Sequence, residues 1–164
     1  MKTAELFALA CELSAGLSGM SPERRLALRQ FGLAFGTAYQ VYDDCVDLFG
    51  SEALAGKSLG TDLAKGKLTL PVLLLWERAE AADRARLREL VEGWKDGSIK
   101  RVEELLAKYE TLQASLDIIH QYLTEARQSL QVLPSSQGRA GLLDLTDYLA
   151  RQADLLGSAR ESGL

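Results

Sequence analysis

The chain has 164 residues, of which 47% are hydrophobic and 26% are charged, and its formal net charge is −4 at pH 7. This length fits one domain with a substantial core, and the composition excludes an intrinsically disordered chain. The acidic balance, without a basic stripe interleaved with aromatic residues, argues against nucleic acid as the main partner. A polyanionic small ligand is still possible, because local charge can oppose the net charge.

Two helices are predicted at the start of the chain. Apolar residues at helical spacing predict the first over Lys2–Leu17, with glycines marking its end. Ser21 followed by Pro22 is typical of a helix start, and the apolar spacing then continues to Phe49. This pattern predicts one long, mostly buried helix over Pro22–Phe49. Within it, Gly32 and Gly36 would let a neighbouring helix pack closely.

The segment after the long helix reads "GSEALAGKSLGTDLAKG" over residues 50–66, and its glycines and lysines predict a functional loop. Amphipathic patterns predict further helices over residues 68–82, 85–93, 99–109, 112–132 and 138–156. Few strand signals compete with them, and no domain linker interrupts the chain. The sequence therefore predicts a single all-α domain over residues 1–164, folded as a helical bundle.

The long helix carries three carboxylates among aromatic and aliphatic residues, in the stretch "YQVYDDCVDLF". Asp43 and Asp47 are four residues apart and should share a face, with Asp44 turned to one side. At a separation of roughly 6 Å and an effective dielectric of about 20, each like-charge pair costs about 3 kcal/mol. A compensating cation is therefore expected beside them.

Two familiar ion-binding patterns do not fit these segments. An EF-hand loop starting at Asp43 would place Cys45 at its third position and Leu48 at its sixth, where an oxygen ligand and glycine are needed. The glycine spacing before Lys57 is one residue too long for a P-loop, and no strand precedes it. What remains is a helical carboxylate cluster followed by a lysine-bearing loop.

That combination suits a magnesium-bound diphosphate. Mg²⁺ takes one or two protein carboxylates and leaves its other positions to water and phosphate oxygens, which lysines also bind. The matching reaction is heterolysis of a carbon–diphosphate bond inside an apolar bundle, where the metal and the lysines stabilise the leaving group. The other class of protein to consider is a plain helical interaction module, in which the aspartates form a solvated face.

Three stretches resemble the trans-isoprenyl (polyprenyl) diphosphate synthases. "FGLAFGTAYQVYDDCVDLFG" followed by "GKSLGTDLAKGKLTLP" is similar to the family's second aspartate-rich motif and the loop after it. "MKTAELFALACELSAGL" resembles the family's Lys-Thr helix, and "LLDLTDYLAR" resembles its C-terminal end. The resemblance implies the C-terminal portion of an all-α, isoprenoid-synthase-type bundle.

The resemblance also implies site residues. The Mg²⁺-binding aspartates of the DDxxD motif, together with the acid of the following Gly-x-Asp step, correspond to Asp43, Asp44, Asp47 and Asp62. The diphosphate-contacting lysines correspond to Lys2, Lys57 and Lys67. The catalytic positions correspond to Lys2, Thr3 and Gln40, the last two as polar groups near the developing allylic cation.

The family's first aspartate-rich motif and its basic cluster for isopentenyl diphosphate have no counterpart in this sequence. The expected function is therefore that of a magnesium-dependent prenyltransferase component. It would bind an allylic diphosphate for condensation with isopentenyl diphosphate in isoprenoid biosynthesis, and a protein partner or a missing N-terminal half would complete it. The alternative is a catalytically inactive helical subunit that associates with another prenyl synthase. A homo-oligomer or a larger assembly is expected in either case.

The sequence also predicts location and cysteine state. No apolar run reaches membrane-spanning length and no signal-peptide pattern is present, so a cytoplasmic protein is expected. Cys11 and Cys45 lie in separate helices without metal-binding spacing, which predicts two buried thiols.

Overall fold

The computed structural model describes residues 2–51, 59–95 and 97–161, and side chains up to residue 159. No strand occurs in these ranges, so the prediction of an all-α fold is confirmed. The helices, numbered α1 to α8 in chain order, are Lys2–Leu17, Pro22–Phe49, Thr61–Ala64, Leu70–Arg78, Ala81–Glu92, Ser98–Lys108, Thr111–Ser129 and Gln137–Glu161. A short 3-10 turn, Leu130–Val132, follows α7. None of the described helices combines the length and apolar composition that crossing a membrane requires.

The first two helices begin and end where the sequence predicts, and α6, α7 and α8 begin one residue before the predicted ranges 99–109, 112–132 and 138–156. The main differences from the prediction lie between residues 59 and 93. The predicted helices over 68–82 and 85–93 correspond to α4 and α5, but the break between them lies at Ala79 and Glu80, four residues earlier than predicted. The hydroxyl of Tyr109 accepts the Glu80 N–H at 3.1 Å, and the Tyr109 carbonyl accepts from Arg78 at 3.1 Å. These contacts come from a residue far along the chain, so local periodicity does not give the position of the break. Another correction is the helical turn α3, which lies inside the predicted loop.

The chain divides into two compact units. The first contains Met1–Gln40 and Asp117–Leu155, and the second contains Val41–Leu116 and Leu156–Leu164. The long helix α2 runs through both, so the aspartates lie in the second unit and Gln40 lies at the boundary of the first. The prediction of one domain over 1–164 stays a prediction.

In the first unit, α1 packs tightly on α2. A Cβ atom at Gly32 would lie 2.5 Å from the Phe7 carbonyl oxygen, and one at Gly36 would lie 2.8 Å from Ala4 Cα. The two backbones thus meet with no room for a side chain between them. The close packing predicted for the glycine pair is confirmed.

Candidate functional site

The three aspartates of α2 lie in different environments. Asp43 is exposed, whereas Asp44 and Asp47 are only 6% and 1% exposed. Asp43 and Asp47, which are expected to share a face of α2, therefore differ in burial. The reason is that Gly60–Asp62 contact the last turn of α2, which carries Asp47, whereas Asp43 is exposed.

The Asp47 carboxylate accepts hydrogen bonds at both of its oxygens. The Thr61 hydroxyl donates to Oδ1 at 2.9 Å, and the Asp62 backbone N–H donates to Oδ2 at 3.2 Å. The Asp47 carbonyl also accepts the Gly60 N–H at 2.7 Å. Burial of the charge is therefore compensated by donors from the start of α3.

Lys67 supplies the cation that the carboxylates need. Its Nζ donates to Asp62 Oδ2 at 2.8 Å and lies 3.6 Å from Asp44 Oδ1. The hydrogen bond to Asp62 is the main cause that raises the pKa of Lys67, and the negative charge of Asp44 adds to it. Asp44, Asp62 and Lys67 thus form one charged group within the second unit, which we call the Asp–Lys cluster.

The donor chemistry suits a hard divalent cation, because aspartate oxygens are the protein ligands that Mg²⁺ and Ca²⁺ prefer. Within the described ranges, no group of three or more His, Cys, Asp or Glu side chains is gathered as a metal cage. Mg²⁺ needs only one or two protein carboxylates, so an exposed Asp43 next to the Asp–Lys cluster fits it. The metal roles of Asp43, Asp44, Asp47 and Asp62 stay predictions.

The first unit brings two of its predicted catalytic residues together. The Thr3 hydroxyl donates to Gln40 Oε1 at 2.7 Å, which links the start of α1 to α2. Lys2 is exposed beside Thr3, and the Phe7 and Tyr39 rings lie 5.9 Å apart on the same pair of helices. Lys57, the remaining predicted site residue, lies outside the described residues.

Sequence reasoning missed the role of Thr61. Its hydroxyl is the side-chain donor to Asp47, although the residue drew no attention among the glycines and lysines of the loop. A threonine just after Gly60, at the first position of a helical turn, is a weak signal by itself. Only the fold brings it to a carboxylate fourteen residues earlier.

These features define an all-α protein with carboxylates and a lysine grouped at the end of its longest helix. The Polyprenyl synthetase family model matches residues 1–109, which is most of the chain. The chain therefore belongs to the polyprenyl synthetase family.

Curated relatives carry matching names. The chain is 32% identical over 148 residues to the short chain isoprenyl diphosphate synthase of Methanothermobacter thermautotrophicus. This alignment covers 90% of the chain and 46% of that synthase. The chain is also 32% identical over 151 residues to heptaprenyl diphosphate synthase component 2 of Bacillus subtilis, covering 92% and 43%. The chain thus spans a little under half the length of these relatives.

Solved structures agree with the fold. A polyprenyl synthase from Caulobacter crescentus, described as complexed with calcium and isoprenyl diphosphate, superposes with a TM-score of 0.84 at 33% identity. The match covers 91% of this chain and 46% of that one. A polyprenyl synthase from Roseobacter denitrificans gives a TM-score of 0.83 at 29% identity, over 92% of this chain and half of that one.

Proposed function

We propose that this chain is the diphosphate-binding part of a Mg²⁺-dependent prenyltransferase that condenses an allylic diphosphate with isopentenyl diphosphate in isoprenoid biosynthesis. The observation that carries the proposal is the Asp–Lys cluster beside an exposed Asp43 at the end of α2. The names of the relatives support the same chemistry, as do the calcium and isoprenyl diphosphate named for the C. crescentus structure.

Each group of the second unit has a role in this proposal. Asp43, Asp44 and Asp62 would offer carboxylate oxygens to the metal, and Asp44 and Asp62 share the Lys67 ammonium. Bound Mg²⁺ would supply positive charge to the departing diphosphate. Lys67 is half exposed and carries a firmly held proton, so its ammonium is available to phosphate oxygens as a point charge.

In the first unit, the Thr3–Gln40 hydrogen bond fixes the direction of two oxygen dipoles. Dipoles held in place before reaction stabilise developing charge better than dipoles that must reorient. We propose that the side-chain oxygens of Thr3 and Gln40 stabilise the developing allylic cation. Lys2, at the start of α1, would add a charge for the diphosphate, as would Lys57.

The rest of the family fold is proposed to come from another polypeptide or from the remainder of a longer protein. Four leucines of α1 are between 47% and 91% exposed, on the face opposite the buried Ala4, Ala8 and Ala15. These are Leu6, Leu9, Leu13 and Leu17, which we call the α1 leucine face. An apolar helix face of this length marks an interaction site, and the matched relatives carry as much chain again beyond the match. The name of the B. subtilis relative, component 2, is consistent with a second component.

Isothermal titration calorimetry tests the proposal with Mg²⁺ and a non-reactive thio analogue of an allylic diphosphate. We expect binding that depends on Mg²⁺, and the Asp43→Asn variant should weaken it by about tenfold or more, since even indirect partners of a metal change affinity on that scale. Asp144→Asn is the matched control, because Asp144 is an exposed aspartate on α8 in the first unit.

Two results would contradict this function. No metal-dependent binding by the wild-type chain, alone or with a partner, would favour the inactive partner subunit. Equal binding by the Asp43→Asn and Asp144→Asn variants would remove Asp43 from the site.

A further inference from the structure

Asp47 is the most deeply buried of the α2 carboxylates, and three hydrogen bonds join it to the start of α3. Its Oδ1, Oδ2 and carbonyl oxygen accept from Thr61, Asp62 and Gly60, at 2.9, 3.2 and 2.7 Å. Only 1% of the residue is exposed. Asp47 therefore holds the start of α3 against the end of α2 by three hydrogen bonds.

The same contacts continue from α3 to Lys67. The Asp62 carbonyl accepts the backbone N–H groups of Lys65 and Lys67, at 3.1 and 2.9 Å. The Asp62 carboxylate accepts the Lys67 ammonium at 2.8 Å. Asp62 is thus tied to Asp47 by its backbone N–H and to Lys67 by two hydrogen bonds, so the position of Lys67 follows from that of Asp62.

The turn cannot hold itself in this position. A helix of four residues, Thr61–Ala64, gains too few internal hydrogen bonds to be stable alone. Its first residue follows Gly60, whose φ of 69° is costly for any residue with a side chain. External anchoring is required, and among the described residues Asp47 supplies a side-chain acceptor for both Thr61 and Asp62.

We propose that Asp47 is a positioning residue: it fixes the 60–67 turn so that Asp62 and Lys67 stand beside Asp44, and it does not ligate the metal. Both of its carboxylate oxygens accept hydrogen bonds from Thr61 and Asp62, whereas Asp43 is exposed. The assignment of metal binding to Asp43 and not to Asp47 rests on the proposed function. The anchoring of the turn does not, because it requires no ligand.

Amide hydrogen exchange of the ligand-free chain measures the anchoring directly. In the Asp47→Asn variant, one oxygen acceptor becomes an amide donor, so the amides of residues 60–67 should exchange at least about tenfold faster. The Thr61→Val variant removes one hydrogen bond without touching any aspartate, and it should speed the same amides. Asp43→Asn is the control and should leave their exchange unchanged.

Mg²⁺ titration then separates positioning from ligation. We expect Asp47→Asn and Thr61→Val to bind Mg²⁺ with the diphosphate analogue at a similarly reduced affinity, and Asp43→Asn to lose more. Unchanged exchange in both Asp47→Asn and Thr61→Val would overturn the proposal. So would a loss of metal binding in Asp47→Asn that matches Asp43→Asn while Thr61→Val binds normally. Absence of binding in the wild type would defeat the proposed function only, and the exchange data would still decide the role of Asp47.

Discussion

At the residue scale, three aspartates are tolerated on a mostly buried helix because each has its own compensation. Asp43 is in water, Asp44 faces the Lys67 ammonium and Asp47 receives two hydrogen bonds from the start of α3. The like-charge cost predicted from the sequence is thereby offset within the chain. Lys67 is the compensating cation that the spacing of the aspartates led us to expect.

Cys45 directly follows Asp43 and Asp44 in the sequence and is fully buried. The pKa of the thiol is raised to about 12, mainly by burial; a hydrogen bond with Ser115 opposes this shift and the Asp44 charge adds to it. The thiolate is the reactive form, so Cys45 is chemically inert at neutral pH. The prediction of a buried thiol is confirmed for Cys45, whereas Cys11 is partly exposed.

The raised pKa of Cys45 predicts that the stability of the protein depends on pH. The stabilisation from the neutral thiol is complete below the ordinary pKa of 9.0 and is lost as pH rises toward the folded value of about 12. Above pH 9 the wild type should therefore lose stability relative to Cys45→Ala, by up to about 1.4 kcal/mol per pH unit. Urea unfolding of both proteins between pH 7 and 11 measures this difference. A constant difference across that range would contradict the prediction.

At the element scale, the α1–α2 contact depends on the absence of side chains at two positions of α2. The helix backbones approach so closely at Gly32 and Gly36 that an added methyl group would overlap α1 backbone atoms. Small alanines on the facing side of α1, namely Ala4 and Ala8, allow this approach and are fully buried. The contact also brings Thr3 within hydrogen-bonding distance of Gln40.

The second prediction concerns these glycines. The Gly36→Ala change should lower the free energy of unfolding by about 1 to 3 kcal/mol, the usual cost of overpacking, because Ala4 Cα lies only 2.8 Å from the new methyl position. The matched control is Gly141→Ala on α8, where nothing lies within 4 Å and better helix propensity should stabilise by up to about 1 kcal/mol. Urea denaturation compares the two, and equal effects would rule out the tight contact.

At the scale of the whole molecule, the sequence accounts for a little under half the length of its matched relatives. The α1 leucine face is the exposed apolar surface on which the remainder of the family fold is proposed to pack. Phe31 and Phe35 of α2 are buried within the first unit and are not part of this surface. The expected contact surface is therefore α1 itself.

The third prediction tests that surface. Co-expressed with the unmatched remainder of the M. thermautotrophicus synthase, the chain should co-purify with it, and Leu13→Glu should abolish the pairing because a charge would be buried in the contact. Leu155→Glu is the control, since Leu155 is 62% exposed on a different helix of the same unit. Light scattering after size-exclusion chromatography gives the mass, and hence the subunit composition, of the complex. If only homodimers of this chain form, the α1 leucine face binds a second copy of the chain, which would contradict the prediction.

The sequence by itself determined the helical class, the bounds of α1 and α2 and the residues of the acidic motif. These features are local: apolar spacing, Ser21-Pro22 at a helix start and aspartates three and four apart are read over a few turns. The family resemblance added roles to the same residues, and the match to the family model confirms the membership.

The tertiary structure alone decided which carboxylate is buried, what it binds and where α4 ends. Asp43 and Asp47 look equivalent along the helix, and only the return of Gly60–Asp62 onto the last turn makes Asp47 a buried acceptor. The break after α4 likewise depends on Tyr109, thirty residues downstream of Ala79. Contacts between distant residues are set by the packing of whole elements, which local periodicity does not encode.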